Sequence, residues 1–195
     1  MKLVDRVKSI LLSPKTEWNK IESEGTQPAE LTMQYLLPLA LIPAIATFIG
    51  YGLIGFEVMG VHVGSVGVGI RHAVINLIGT VAGAFVTAFV IDFLSPNFGS
   101  TKNFTQAFKL VTYSYTPMMV AGILFILPSL AVLASLCGLY GLYLLYIGLQ
   151  PLMKTPDDKK TVYFVVSLVA VIIVYAVLSA ILGAILTTRG LVPGI

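Results

Sequence analysis

The sequence predicts an all-α, polytopic membrane protein with five transmembrane helices and an N-terminal amphipathic, interfacial helical segment. Three observations carry that class. Of the 195 residues, 57% are hydrophobic and 11% charged, with a mean hydropathy of +0.93. A soluble domain carries about a quarter charged residues to cover its surface, so much of this surface must face lipid. Apolar stretches recur at the length of about 20 residues that a helix needs to cross a bilayer. Lys and Arg, finally, gather on alternate connecting segments. The composition excludes a soluble enzyme, a disulfide-stapled secreted domain (one cysteine, Cys137) and a disordered tail.

The first 30 residues form a cytoplasmic amphipathic segment. Leu3, Val4, Val7, Ile10 and Leu11 recur on one helical face, with Lys2, Asp5, Arg6 and Lys8 elsewhere. Ser13 then Pro14 reads as a cap and first position of a second short helix carrying Trp18 and Ile21. Such a pair either lies in the headgroup plane, anchored by tryptophan, or packs on the protein's own cytoplasmic loops. The segment lacks the continuous apolar stretch and cleavage site of a signal peptide.

A five-span domain follows over 31–188, with a short external tail at 189–195. Spans at about 33–55, 72–94 and 162–186 meet the length test directly. From Leu110 to Leu149 there is no charge over 40 residues. One straight helix of that size would be about 60 Å long, twice the hydrocarbon thickness, so the chain must fold back. Pro128, in ILPSL, suits the turn, giving spans at about 107–127 and 129–149. Counting basic residues supports this division. Lys2, Arg6, Lys8, Lys15 and Lys20 precede the first span, and Lys102, Lys109, Lys154, Lys159 and Lys160 fall on the same side, against Arg71 and Arg189. The split is 10 to 2, whereas four spans would give 8 to 4. The N-terminus is then cytoplasmic and the C-terminus external.

No ionisable residue lies near the centre of a span: Asp92 and Lys109 sit at inner ends and His72 at an outer end. That disfavours proton-coupled transport and ion pumping. No nucleophile–base pair, metal-ligand spacing or phosphate loop is present, so no catalytic, cofactor-binding or metal residue is assigned and no cofactor is expected. His62, His72, Glu57 and Arg71 share the outer loop without a ligand motif and read as interfacial side chains. The glycines of GVHVGSVGVG (60–69) do not match GxGxxG and suggest an extended or hairpin-like segment at the outer surface. Cys137 reads as a small packing residue.

Inside the spans, Gly79 and Gly83, followed by Ala84 and Ala88, form a small-residue stripe that lets another helix approach, with Asn76 and Thr80 able to hydrogen-bond across it. Tyr113, Ser114, Tyr115 and Thr116 precede Pro117, whose missing N–H frees a carbonyl near Tyr113 and kinks the helix. Tyr140, Tyr143 and Tyr146 recur every three residues in the fourth span, ahead of Gly148, Gln150 and Pro151. Asp92, Tyr113, Tyr115, Pro117, Tyr143 and Tyr146 therefore fall in the inner half of the bilayer. The plainer reading is an aromatic belt with interhelical hydrogen bonds; the functional one is a polar pocket opening inward, for a lipid headgroup or a partner's lipid anchor.

Four stretches resemble the Yip family, the multi-pass proteins named for interacting with Ypt and Rab GTPases, in its short prokaryotic form. They are SPKTEWNKI (13–21), LLPLALIPA in the first span, AFKLVTYSYTP in the third, and LYGLYLLYIGLQPLMKTPDDKK (139–160). Of the family's GYxxxP element, Tyr113 and Pro117 match while Thr112 stands for the glycine. The acidic leucine-tyrosine-glycine-proline element and long polar N-terminal region of eukaryotic members are absent. The resemblance implies a non-enzymatic, multi-pass protein of a prokaryotic plasma membrane. Its expected partners are the lipid bilayer and another membrane protein, a lipid or a second copy of itself, with no nucleic acid. The expected function is organising the membrane or binding a partner or lipid. The alternative is a transporter or channel for a neutral or amphiphilic solute.

Overall fold

Five helices long and apolar enough to cross a membrane make up most of the protein: Pro28–Ile54, Val66–Phe98, Phe104–Ile126, Val132–Met153 and Asp157–Ala180. The computed structural model describes residues 2–58 and 61–188, so the expected tail at 189–195, with Arg189, lies outside the described residues. Ahead of the spans stand two short helices, α1 (Leu3–Leu12) and α2 (Pro14–Ser23).

Local chemistry explains where each span starts and bends. The first begins with α3 (Pro28–Leu31), passes through a wide π turn at Thr32–Leu36, continues as α4 (Leu37–Phe48) and widens again at Ile49–Ile54. Pro38 and Pro43 remove N–H donors from this helix, and π turns absorb such interruptions. Part of the glycine-rich outer segment is extended: β1 (Phe56–Val58) pairs antiparallel with β2 (Val61–Val63). The rest is helix. Ser65 accepts a hydrogen bond from the Val68 N–H at 3.3 Å and caps α5 (Val66–Leu94), six residues before the expected start of the second span.

The third span is broken where Pro117 predicts. Helix α6 (Phe104–Ser114) stops, Tyr115 forms a turn, α7 (Thr116–Ala121) restarts, and a 3-10 segment runs over Gly122–Ile126. After one 3-10 turn at Pro128–Leu130, α8 (Ala131–Met153) returns along it, and α9 (Asp157–Thr188) forms the fifth span. The third span is the centre of the bundle, with 56% of its apolar window buried against 11% for the fifth. The tightest crossings fall at glycines. A Cβ on Gly141 would lie 2.6 Å from the Ser114 carbonyl oxygen, one on Gly122 2.5 Å from Pro43 Cβ, and one on Gly69 2.5 Å from Gly52 Cα.

The N-terminal helices pack on the spans themselves, rather than on the connecting loops that one of the two expectations named. Ile10, Trp18 and Ile21 are fully buried, whereas Leu12, at the tip between α1 and α2, is 80% exposed. The indole lies against Gly148, where a Cβ would fall 2.8 Å from Trp18 Cε2. Tyr140 donates to the Leu11 carbonyl at 2.8 Å, so the tip reaches midway along α8. Carbonyls at the C-terminal end of α2 are met from the third span. Lys109 Nζ donates to Ile21 O at 3.2 Å and also to Glu24 O, and Gln106 Nε2 donates to Glu22 O at 3.0 Å. Lys154 pairs with Glu22 at 2.8 Å.

Candidate functional site

Tyr113 and Tyr115 are two residues apart, and the helix break between α6 and α7 aims them at different neighbours. Tyr113 is buried beneath the N-terminal pair. Its ring stands edge-on to Tyr35 at 4.7 Å and to Trp18 at 6.3 Å, with the Arg6 guanidinium 5.5 Å from its centroid. Arg6 itself pairs with Glu17 at 2.5 Å and with Glu24. Burial alone would lower the Arg6 pKa, but the hydrogen bond with Glu24 and the electrostatic influence of Tyr113, Glu24 and Glu17 outweigh it and raise it. A raised guanidinium pKa means that this contribution to docking is complete at neutral pH and is lost only in strong base. A polar recess of about 320 Å³ opens beside Arg6, Glu24, Glu30, Gln34 and Tyr113.

Tyr115 points between the second and fifth spans. Its hydroxyl shares a hydrogen bond with Thr87 Oγ1 at 3.1 Å. A Cβ on Gly83 would collide with the Tyr175 hydroxyl and lie 3.9 Å from that of Tyr115. Gly83 thus makes room for two tyrosines rather than for a bare helix backbone. A Cβ on Gly79 would meet nothing within 4 Å, and this glycine borders a cavity instead. Pro117 is buried at the start of α7, and the neighbouring Thr116 hydroxyl bonds to Tyr35 at 2.8 Å, tying the third span to the first.

Two cavities flank Tyr115 and Met118. One, of about 170 Å³, lies among the second to fifth spans and is lined by Thr87, Ser114, Tyr115, Gly138, Gly141 and Ser167 with apolar neighbours. The other, of about 340 Å³, is bordered by Pro43, Asn76, Gly79, Thr80 and Phe125. Neither lining contains a carboxylate, ammonium or guanidinium. Among the described residues, the Ser114 and Ser167 hydroxyls, buried at the first cavity, have no hydrogen-bond partner, and neither does Asn76 Oδ1 at the second.

The remaining expected site residues lie elsewhere. Asp92 is 8% exposed and its Oδ1 has no partner among the described residues. Beside it, Tyr163 donates to the Ile91 carbonyl at 2.5 Å. Tyr143 is 43% exposed and stacks on Tyr140 at 5.6 Å. Tyr146 bonds to Thr161 at 3.1 Å, with Lys160 Nζ 4.5 Å from its ring centroid. The six residues of the expected inner pocket therefore occupy separate environments, joined in none of the cavities above. Sequence reasoning missed Tyr35, Thr87 and Ser167, whose roles depend on which helices cross. It also missed the Arg6–Glu17 pair, for which the only signal was a charged face opposite an apolar one.

The helical bundle and the uncharged cavities between its spans define a polytopic α-helical membrane protein whose polar groups are held between spans and under an N-terminal helical pair. A family model of the Yip1 domain matches residues 8–181, and the chain belongs to that family. No curated protein and no solved structure matches it.

Proposed function

We propose that this Yip1-domain protein is non-catalytic and holds part of a lipid in the cavity among its second to fifth spans, in a prokaryotic plasma membrane with its N-terminal helices on the cytoplasmic side. The observation that supports this reading is the pair of buried, unpartnered hydroxyls, Ser114 and Ser167, in a cavity without ionised groups. A buried hydroxyl left unpaired costs about 1–3 kcal/mol. A ligand with an apolar body and one or two oxygens relieves that cost without needing a counter-charge. The volume is close to the ~150 Å³ that accommodates a benzene ring, so it suits a ring or a short stretch of chain rather than a whole lipid. The 10 to 2 distribution of basic residues supports the orientation.

Purification in native-lipid particles followed by mass spectrometry tests the reading. A Cβ on Gly138 meets only Met118 Sδ, at 3.9 Å, so Gly138→Leu fills the cavity without striking backbone. The wild type should retain an enriched lipid that Gly138→Leu loses, while Ser167→Ala should weaken retention by about tenfold. Identical lipid profiles for all three proteins would overturn the assignment. Flux of a neutral solute through reconstituted vesicles, blocked by Gly138→Leu, would replace it with transport.

A further inference from the structure

A groove of about 410 Å³ opens between α2, the last turns of α8 and the first turn of α9, apart from the cavities around Tyr115. Its polar lining is Lys15 and Asn19 from α2, Gln150 from α8 and Lys160 from α9, set around Trp18. Trp18 is fully buried, and its indole N–H has no acceptor among the described residues. Lys15, Asn19 and Gln150 are exposed. Lys160 also lies over the Tyr146 ring, 4.5 Å from its centroid. No carboxylate lines the groove. Glu17, on α2, is engaged by Arg6 and Lys20, and Asp157 and Asp158 stand in the turn before Lys160.

Two ammonium groups and two amides set around a buried tryptophan, without an acidic residue in the lining, make an environment for a multivalent oxyanion. We propose that this groove binds a phosphate group, presented by an anionic phospholipid of the surrounding membrane. The lipid source follows from what adjoins the groove. Tyr146 and Tyr143 lie four and seven residues before Gln150 on α8, Tyr143 is exposed, and Val162, Val165 and Val169 of α9 are more than half exposed or close to it. Acyl chains can lie on this apolar surface while the phosphate reaches Lys15 and Lys160, and the unbranched Lys15 and Gln150 side chains can swing to admit it to the indole. A zwitterionic headgroup brings its own cation against both lysines and is disfavoured. The proposal does not depend on the interior cavity.

Trp18 is the chain's single tryptophan and lines this groove, so its fluorescence follows occupancy there. The experiment titrates the full-length protein in phosphatidylcholine nanodiscs with brominated phosphatidylglycerol and follows quenching of the indole. Saturable quenching is expected, with half-saturation shifted upward about tenfold or more in Lys15→Gln/Lys160→Gln, since each lysine near an anionic surface contributes about fivefold. Lys15→Arg/Lys160→Arg should bind as the wild type does, and Gly138→Leu should leave the quenching unaltered. Equal quenching by brominated phosphatidylcholine, or an unshifted titration in a folded glutamine variant, overturns the proposal. The single Lys160→Gln variant is read in the same way should the double variant misfold. An emission change produced by inorganic phosphate, with none from the lipid, assigns the groove to free phosphate and overturns the lipid source.

Discussion

Arg6 and Trp18 illustrate what single residues contribute when a helical pair must dock on a membrane bundle. Arg6 is nearly buried, and its ion pairs with Glu17 and Glu24 let a charged face turn inward. Replacing Arg6 with Met leaves the fully shielded Glu17 carboxylate without its principal partner, and removing one member of a buried pair costs about 3–5 kcal/mol. Thermal unfolding in detergent should register that loss, and adding Glu17→Gln should restore a large part of it. Equal stability of the single and double variants would show that the pair is not coupled. Trp18→Ala should cost about 3–5 kcal/mol through the cavity left against Leu110 and Gly148. The amphipathic pattern around Arg6 was plain in the sequence. Its partner was not, because Glu17 lies eleven residues away across the turn at Ser13–Pro14 and only the fold brings the two together.

At the scale of elements, hydropathy and proline told most of the story and glycine told it unevenly. Forty uncharged residues around Pro128 had to fold back, and the turn stands at Leu127–Leu130. Pro117 predicted the break that separates α6 from α7. The glycines were harder to read, because spacing cannot say what lies opposite. Gly79 has open space before it, whereas Gly141 is pressed on the Ser114 carbonyl at 2.6 Å from where a Cβ would stand. Gly141→Ala should therefore destabilise the third–fourth span pair by about 1–3 kcal/mol, as overpacking does, while Gly79→Ala stays within about 0.5 kcal/mol of wild type. Comparing the two variants by thermal unfolding checks the crossing geometry, and equal effects would contradict it. Dispersal of the six expected pocket residues has the same origin: a shared depth in the membrane places side chains on a level, and helix rotation decides which of them meet.

Across the whole molecule, a central broken span packs against the first, second and fourth, the fifth leans on the second and fourth and is least enclosed, and the N-terminal pair is wedged along α8. Lipid as the main solvent explains both the exposed Val and Ile along α9 and the gathering of charge at helix ends and on the N-terminal pair. Both cavities near Tyr115 make sense on these terms as places where an uncharged group can leave the bilayer for the protein. An odd number of crossings is the premise on which the orientation, the depth of the tyrosines and the lipid reading all rest. Single cysteines at Lys2 and at Gly194, placed in a Cys137→Ser background, test it with a membrane-impermeant maleimide on oriented vesicles. Five crossings predict labelling of the Lys2→Cys site only from the cytoplasmic face and of the Gly194→Cys site only from the opposite face. Labelling of both from one face would contradict it.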